Sequence, residues 1–142
     1  MLSHTIDQIN IGDTAYFEKT ITEADVTLYA GLTGDFSYVH VNEERAKKTR
    51  FGRRIVHGMF LMGLISNVLG TQLPGHGTIY VSQEVKFLRP TFIGDTVRAQ
   101  VEVIEIIREK GRVRLKTTCA NQAGEQLLTG ECVMIPPTVA EV

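Results

Sequence analysis

Residues 55–69 read IVHGMFLMGLISNVL, and this stretch decides the fold. It is the most apolar run in the chain, interrupted only by His57, Gly58, Gly63, Ser66 and Asn67. It has no proline and is long enough for a helix. A helix apolar nearly all round is a buried one. Gly58, Gly63 and the following Gly70 would each weaken an isolated helix by roughly 1 kcal/mol relative to alanine. In a tightly wrapped core they let backbone approach backbone. The reading is a central helix covered on most sides.

Upstream, residues 34–54 are polar and carry the cluster Asp35-Phe36-Ser37-Tyr38-Val39-His40. Residues 1–8 look like a loose start, and Asn10 to Asp13 form a turn signal. Residues 14–20 (TAYFEKT) read as a short strand. Thr22 is a good N-cap, followed by Glu23 and Asp25 in the first turn of a helix. Ala24, Leu28 and Leu32 lie four apart, which is helical spacing, and the helix should stop near 31–34. Residues 35–41 read as a loop. Asn42 is a second N-cap, ahead of a short basic helix to about Thr49 that Phe51-Gly52 breaks.

Downstream, the periodicity switches to alternation. Strands are predicted over 78–88, 96–107, 113–121 and 126–135, with turns at 94–95, 109–112 and 121–124. Consecutive strands joined by short turns imply an antiparallel sheet. The order is strand, helix, helix, long buried helix, then four strands. An α+β protein results, in which a curved antiparallel sheet wraps one long central helix: the hot dog arrangement. The 142 residues fit one domain, residues 1–142, and suffice for a real core.

Composition excludes several classes. A net charge of −1 argues against a nucleic-acid surface. The cations Arg45, Lys47, Lys48, Arg50, Arg53 and Arg54 are a local concentration that acids elsewhere balance. The apolar stretch at 59–68 is too short and too broken to span a bilayer. Residues 1–9 lack the apolar core of a signal segment. Cys119 and Cys132 sit in alternating apolar runs and read as buried thiols, which fits a reducing, cytoplasmic setting. No set of His, Cys, Asp and Glu has metal-ligand spacing, so no metal is expected.

Asp35 and His40 are the first candidates for chemistry. In a bent loop, side chains five apart can converge on one small volume, where a carboxylate and an imidazole would hold and deprotonate a water. The other reading keeps Asp35 as a turn residue and His40 as a satisfied polar group near the core. Gly58 stands at the expected N-terminus of the buried helix, where unpaired N–H groups and the dipole favour negative charge on a substrate oxygen. From its sequence alone it reads first as a packing glycine. Ser66 is either bonded back to a carbonyl one turn earlier or in contact with substrate. His57 reads as fixing the helix start.

The motifs Gly34-Asp35-Phe36 with His40, Arg54-Ile55-Val56-His57-Gly58-Met59, Leu73-Pro74-Gly75 with Gly77-Thr78-Ile79-Tyr80, and Phe87, Pro90, Phe92 with Gly94-Asp95 resemble the MaoC-like (R)-specific enoyl-CoA hydratases. The likeness runs from about residue 12 to about residue 136. It implies the hot dog fold in a homodimer, or a larger assembly of such dimers. It implies hydration of short- to medium-chain trans-2-enoyl-CoA to (R)-3-hydroxyacyl-CoA, with Asp35 and His40 activating the water. Gly58 would hold the thioester carbonyl, and Ser66 matches a serine near the Asp along the central helix. No cofactor is implied beyond the CoA of the substrate. In place of the family's Asn-Pro between Asp and His, this chain has Ser37-Tyr38, so the loop loses proline's fixed φ unless Tyr38 is anchored by packing. Two other functions stay open at this point: a 3-hydroxyacyl-carrier-protein dehydratase, and a non-catalytic acyl-CoA-binding subunit.

Overall fold

The computed structural model describes residues 2–140. Its elements are β1 (Thr14–Thr20), α1 (Glu23–Thr33), α2 (Tyr38–Val41), α3 (Glu43–Ala46), α4 (Gly58–Thr71), β2 (Ile79–Phe87), β3 (Thr96–Ile107), β4 (Arg112–Ala120) and β5 (Gln126–Ile135). Five strands form one antiparallel sheet in the order β1-β3-β4-β5-β2. Helix α4 lies against β3, β1 and β4. This is the expected α+β hot dog arrangement, with β1 and β2 left as the two edges.

The core follows from the alternation read in the sequence. Val97, Ala99, Val101 and Val103 of β3 and Val113, Leu115 and Cys119 of β4 turn one face inward. They meet Leu61, Ile65, Val68 and Leu69 of α4. Thr22 caps α1 through a reciprocal pair of bonds with Asp25, at 3.2 and 2.8 Å. Burial pushes the Cys119 and Cys132 thiols up to about 12, so neither is a reactive thiolate at neutral pH.

Several expectations need correction. Helix α4 begins at Gly58, its expected N-terminus, so the apolar residues just before it lie outside the helix: Ile55 pairs with Phe92 as an isolated bridge and Val56 donates to the Thr91 carbonyl. The helix is not covered all round. Met59, Gly63 and Ser66 form an outward stripe, so the even hydrophobicity of this run does not report even burial. Of the three helix glycines only Gly58 is needed for close approach: a Cβ there would stand 2.9 Å from the Phe87 ring, whereas Gly63 and Gly70 face open space.

Helix α1 has the predicted place but the opposite face inward. Val26 and Ala30 are buried, and Leu28 and Leu32 are exposed. The basic helix closes after one turn, at Ala46, and the supposed loop at 35–41 contains the helical turn α2. The start of the chain is docked, with Ser3 bridging Gly75 and Ile9 buried.

Candidate active site

Residues 34–57 cross the N-terminal end of α4 and bring the candidate side chains to it. Gly34 ends α1 with φ 79°, a left-handed conformation that glycine adopts without strain, and its N–H bonds the Ala30 carbonyl at 2.8 Å. The chain then turns sharply. The Asp35 N–H donates to Thr33 Oγ1 at 3.2 Å, and the Ser37 N–H donates to Asp35 Oδ1 at 3.2 Å. The second contact is an Asx-type turn that fixes the carboxylate. The His40 N–H reaches the Ser37 carbonyl at 2.9 Å, which starts α2.

These bonds are local to the loop and do not fix φ at Ser37 or Tyr38 as a proline would. Tyr38 is not anchored by packing. It is 44% exposed and carries the Arg45 guanidinium 5.1 Å above its ring.

Arg54 fastens the segment to the rest of the molecule. Its guanidinium grips Glu23 of α1 at 2.7 and 2.5 Å and Glu43 of α3 at 3.2 Å. The guanidinium holds the Glu23 carboxyl below the usual carboxylate range. Arg54 is therefore a structural cation. The Ile55 N–H completes the tie by donating to the Val39 carbonyl at 3.0 Å.

At the centre, two imidazoles stack. The His40 and His57 ring centroids are 3.8 Å apart with 26° between planes. His40 Nδ1 lies 2.8 Å from the Ile55 carbonyl. A carbonyl only accepts, so Nδ1 carries the proton and Nε2 holds the lone pair of the neutral ring. Burial, the largest influence, pushes the His40 pKa below its ordinary 6.5. The Ile55 bond and the Asp35 charge pull the other way, and the His57 ring adds to the lowering. A half-buried neutral imidazole with a free Nε2 is a competent proton acceptor.

Asp35, His40 and His57 each place a ligand-type atom within 4.8 Å of the others, a grouping that linear spacing did not reveal. Stacked rings nevertheless present faces to each other, while an imidazole binds an ion in its own ring plane at about 2.0–2.1 Å. Two planes only 26° apart do not converge on one ion.

Gly58 opens α4. The His57 side chain makes no cap and the Phe60 N–H donates to the His57 carbonyl at 3.0 Å, so among the described residues the Gly58 and Met59 N–H groups remain for an outside acceptor. A groove of about 230 Å³ begins at Gly58 and runs between Phe51, Phe87, Leu88, Arg50 and Arg89. A larger one, of about 890 Å³, follows β1 past Tyr16 and His4 and contains none of these residues. Chemistry rather than volume marks the site.

Ser66 is exposed on the outward stripe, eight residues into a helix that rises about 1.5 Å per residue, so it lies about 12 Å from Gly58. His57 is what the sequence reading missed. It was assigned to the helix start, yet its Nε2 bonds the Asp35 carbonyl at 2.9 Å.

Known proteins share the sequence and the fold of this chain. The sequence matches the MaoC like domain family over residues 8–124. It is 46% identical over 137 residues to an (R)-specific enoyl-CoA hydratase of Rhodospirillum rubrum, covering 96% of this chain and 94% of that one. It is 43% identical over 135 residues to a 3-hydroxybutyryl-CoA dehydratase of Methylorubrum extorquens, covering 95% and 85% respectively. The unliganded R-hydratase PhaJ1 of Pseudomonas aeruginosa has the same fold with a TM-score of 0.93 at 37% identity, over 98% of this chain and 89% of that one. The chain belongs to the MaoC-like domain family.

Proposed function

We propose that this protein is a hydro-lyase that adds water across the double bond of trans-2-enoyl-CoA to give (R)-3-hydroxyacyl-CoA, and runs the reverse dehydration. The observation that carries the reading is the Asp35/His40 pair at the open end of α4, in a chain 46% identical to a protein named for this reaction. Asp35 and His40 hold a water between them. His40 Nε2 takes one proton as the oxygen bonds to C3, and electrons move through C2 to the thioester oxygen. The Gly58 N–H and the positive end of α4 stabilise that oxygen. Return of a proton to C2 completes the addition, so atoms and charge balance. The reading includes no metal and no cofactor beyond the CoA of the substrate.

Ser66 is too far from Gly58 to meet the reacting carbons of its own site. Its place in this reading is along the acyl chain. Arg50 and Arg89, which flank the groove, suit the phosphates of CoA better than Arg54, which Glu23 and Glu43 occupy.

The assembly in this reading is a homodimer formed through β2. That strand ends the sheet, and Ile79, Val81, Phe87 and Leu88 on and just after it are exposed. A free apolar edge favours pairing with a second copy. Among the described residues no helix is long and apolar enough to cross a membrane. Buried free thiols fit a reducing cytoplasm.

The test is loss of enoyl-thioester absorbance when purified protein meets crotonyl-CoA, with chiral analysis of the product. The reading expects rapid loss and (R)-3-hydroxybutyryl-CoA. Binding without turnover would overturn it in favour of a non-catalytic acyl-CoA subunit.

A further inference from the structure

The His57 side chain touches both halves of the proposed dyad. It is only 2% exposed. Its Nε2 lies 2.9 Å from the main-chain oxygen of Asp35, so that nitrogen carries the proton. Its Nδ1 is buried and, among the described residues, has no hydrogen-bond partner. One face of the ring lies on His40 at 3.8 Å, and Tyr29 of α1 packs on it at 4.6 Å between centroids. Phe60, one turn into α4, supports Tyr29 edge-on at 5.7 Å. A buried polar atom without a partner is costly, and it persists where its surroundings hold the ring for another reason. Here the reason is visible. One imidazole pins the backbone of the acid and serves as the platform for the base.

We infer that His57 is a positioning residue that fixes Asp35 and His40 relative to each other, replacing the rigidity that the Ser37-Tyr38 loop lacks. This rests on the dyad reading above. Loop 35–40 has two local ties, the Asx-type turn and the start of α2. Neither links Asp35 to the imidazole of His40. His57 does, from a residue rooted at the first turn of the best-buried helix. A misplacement of about 1 Å in such a pair costs on the order of 10²-fold in rate.

The groups facing the stacked pair are few. Asp35 comes from the turn and Tyr29 from α1. Arg54 reaches the His40 carbonyl at 3.5 Å and is itself paired with Glu23 and Glu43. Among these, the His57 ring disfavours a charge on His40, and Asp35 favours one.

Two replacements separate the donor from the platform. His57→Phe keeps a ring on the stack and removes the N–H. His57→Gln keeps an amide N–H near the position of Nε2 and removes the stack. The expected result for His57→Phe is a fall in kcat on the order of 10²-fold, with KM for crotonyl-CoA little changed. The acid limb of its kcat/KM profile should move to higher pH, since the ring that opposed a charge on His40 is gone. His57→Gln should recover a large part of the lost kcat.

A folded His57→Phe variant with wild-type kcat and an unmoved acid limb would overturn the inference. Nitrogen NMR of the wild-type imidazoles tests it without any variant. His57 should be the Nε2–H tautomer and His40 the Nδ1–H tautomer, and the opposite tautomer at either would contradict it. Asp35→Asn and His40→Ala keep the two levels distinct. If both retain turnover, the dyad reading fails. If both lose turnover while His57→Phe retains it, only the role of His57 fails.

Discussion

On the side that faces the sheet the body of α4 is apolar and enclosed, whereas its first turn meets a cluster of polar groups. Leu61, Ile65, Val68 and Leu69 are almost wholly enclosed by the sheet. At the mouth, Asp35 is exposed, His40 half-buried and His57 buried, all within reach of one another. The body contributes through apolar area removed from water, which is non-directional and tolerates small shifts. The mouth works through hydrogen bonds and stacking, which do not. The same helix thus supplies stability at one place and a fixed geometry at the other.

Substitutions in the two regions should therefore fail in different ways. The largest stability effect is expected from Leu69→Ala, which empties a fully buried site and should cost about 2–5 kcal/mol in chemical denaturation. Turnover per folded molecule should stay close to wild type. A large loss of turnover with full stability would break the division between body and mouth.

A smaller effect sharpens the electrostatics of the mouth. Burial keeps His40 neutral to lower pH than an ordinary histidine. Turnover that needs the neutral ring should hold below pH 6.5 and fall only further into acid. Folding stability shares the sign. The unfolded chain takes up this proton first, so His40's contribution is complete above the unfolded pKa and is lost as pH falls through the shifted value. A kcat/KM profile with its acid midpoint above 6.5 would contradict this.

The smallest effect is expected on the outer face of α1. Leu28→Gln replaces a side chain 63% exposed and should change stability by no more than about 0.5 kcal/mol. A cost of several times that in thermal melts would show that the face is covered in solution.

The body of the molecule was largely legible in the sequence. Alternation at Val97, Ala99, Val101 and Val103 marks β3 because every second residue faces the helix. The Thr22 and Asn42 caps are local bonds between residues three apart, so they too show in the sequence. Face assignment failed for α1. Leu28 and Leu32 share the spacing of a buried stripe, and only the tertiary packing selects Val26 and Ala30 instead.

The mouth was legible in part. Asp35 and His40 stand close in sequence and are joined by a turn. The contact from His57 to Asp35 spans 22 residues and depends on how the Arg54 ion pairs fold the segment back. No pattern of spacing encodes that. Eight residues of helix separate Ser66 from Gly58, a separation that a likeness of motif does not carry.

The most direct measurement compares turnover and melting temperature in His40→Ala and Asp35→Asn with crotonyl-CoA as substrate. Removing a positioned acid or base typically costs 10²–10⁴-fold in rate, so turnover should fall by about that factor. Both variants should melt within a few degrees of wild type, because neither side chain belongs to the enclosed body of α4. Near-wild-type turnover in both would contradict the account and move the chemistry away from the mouth of the helix.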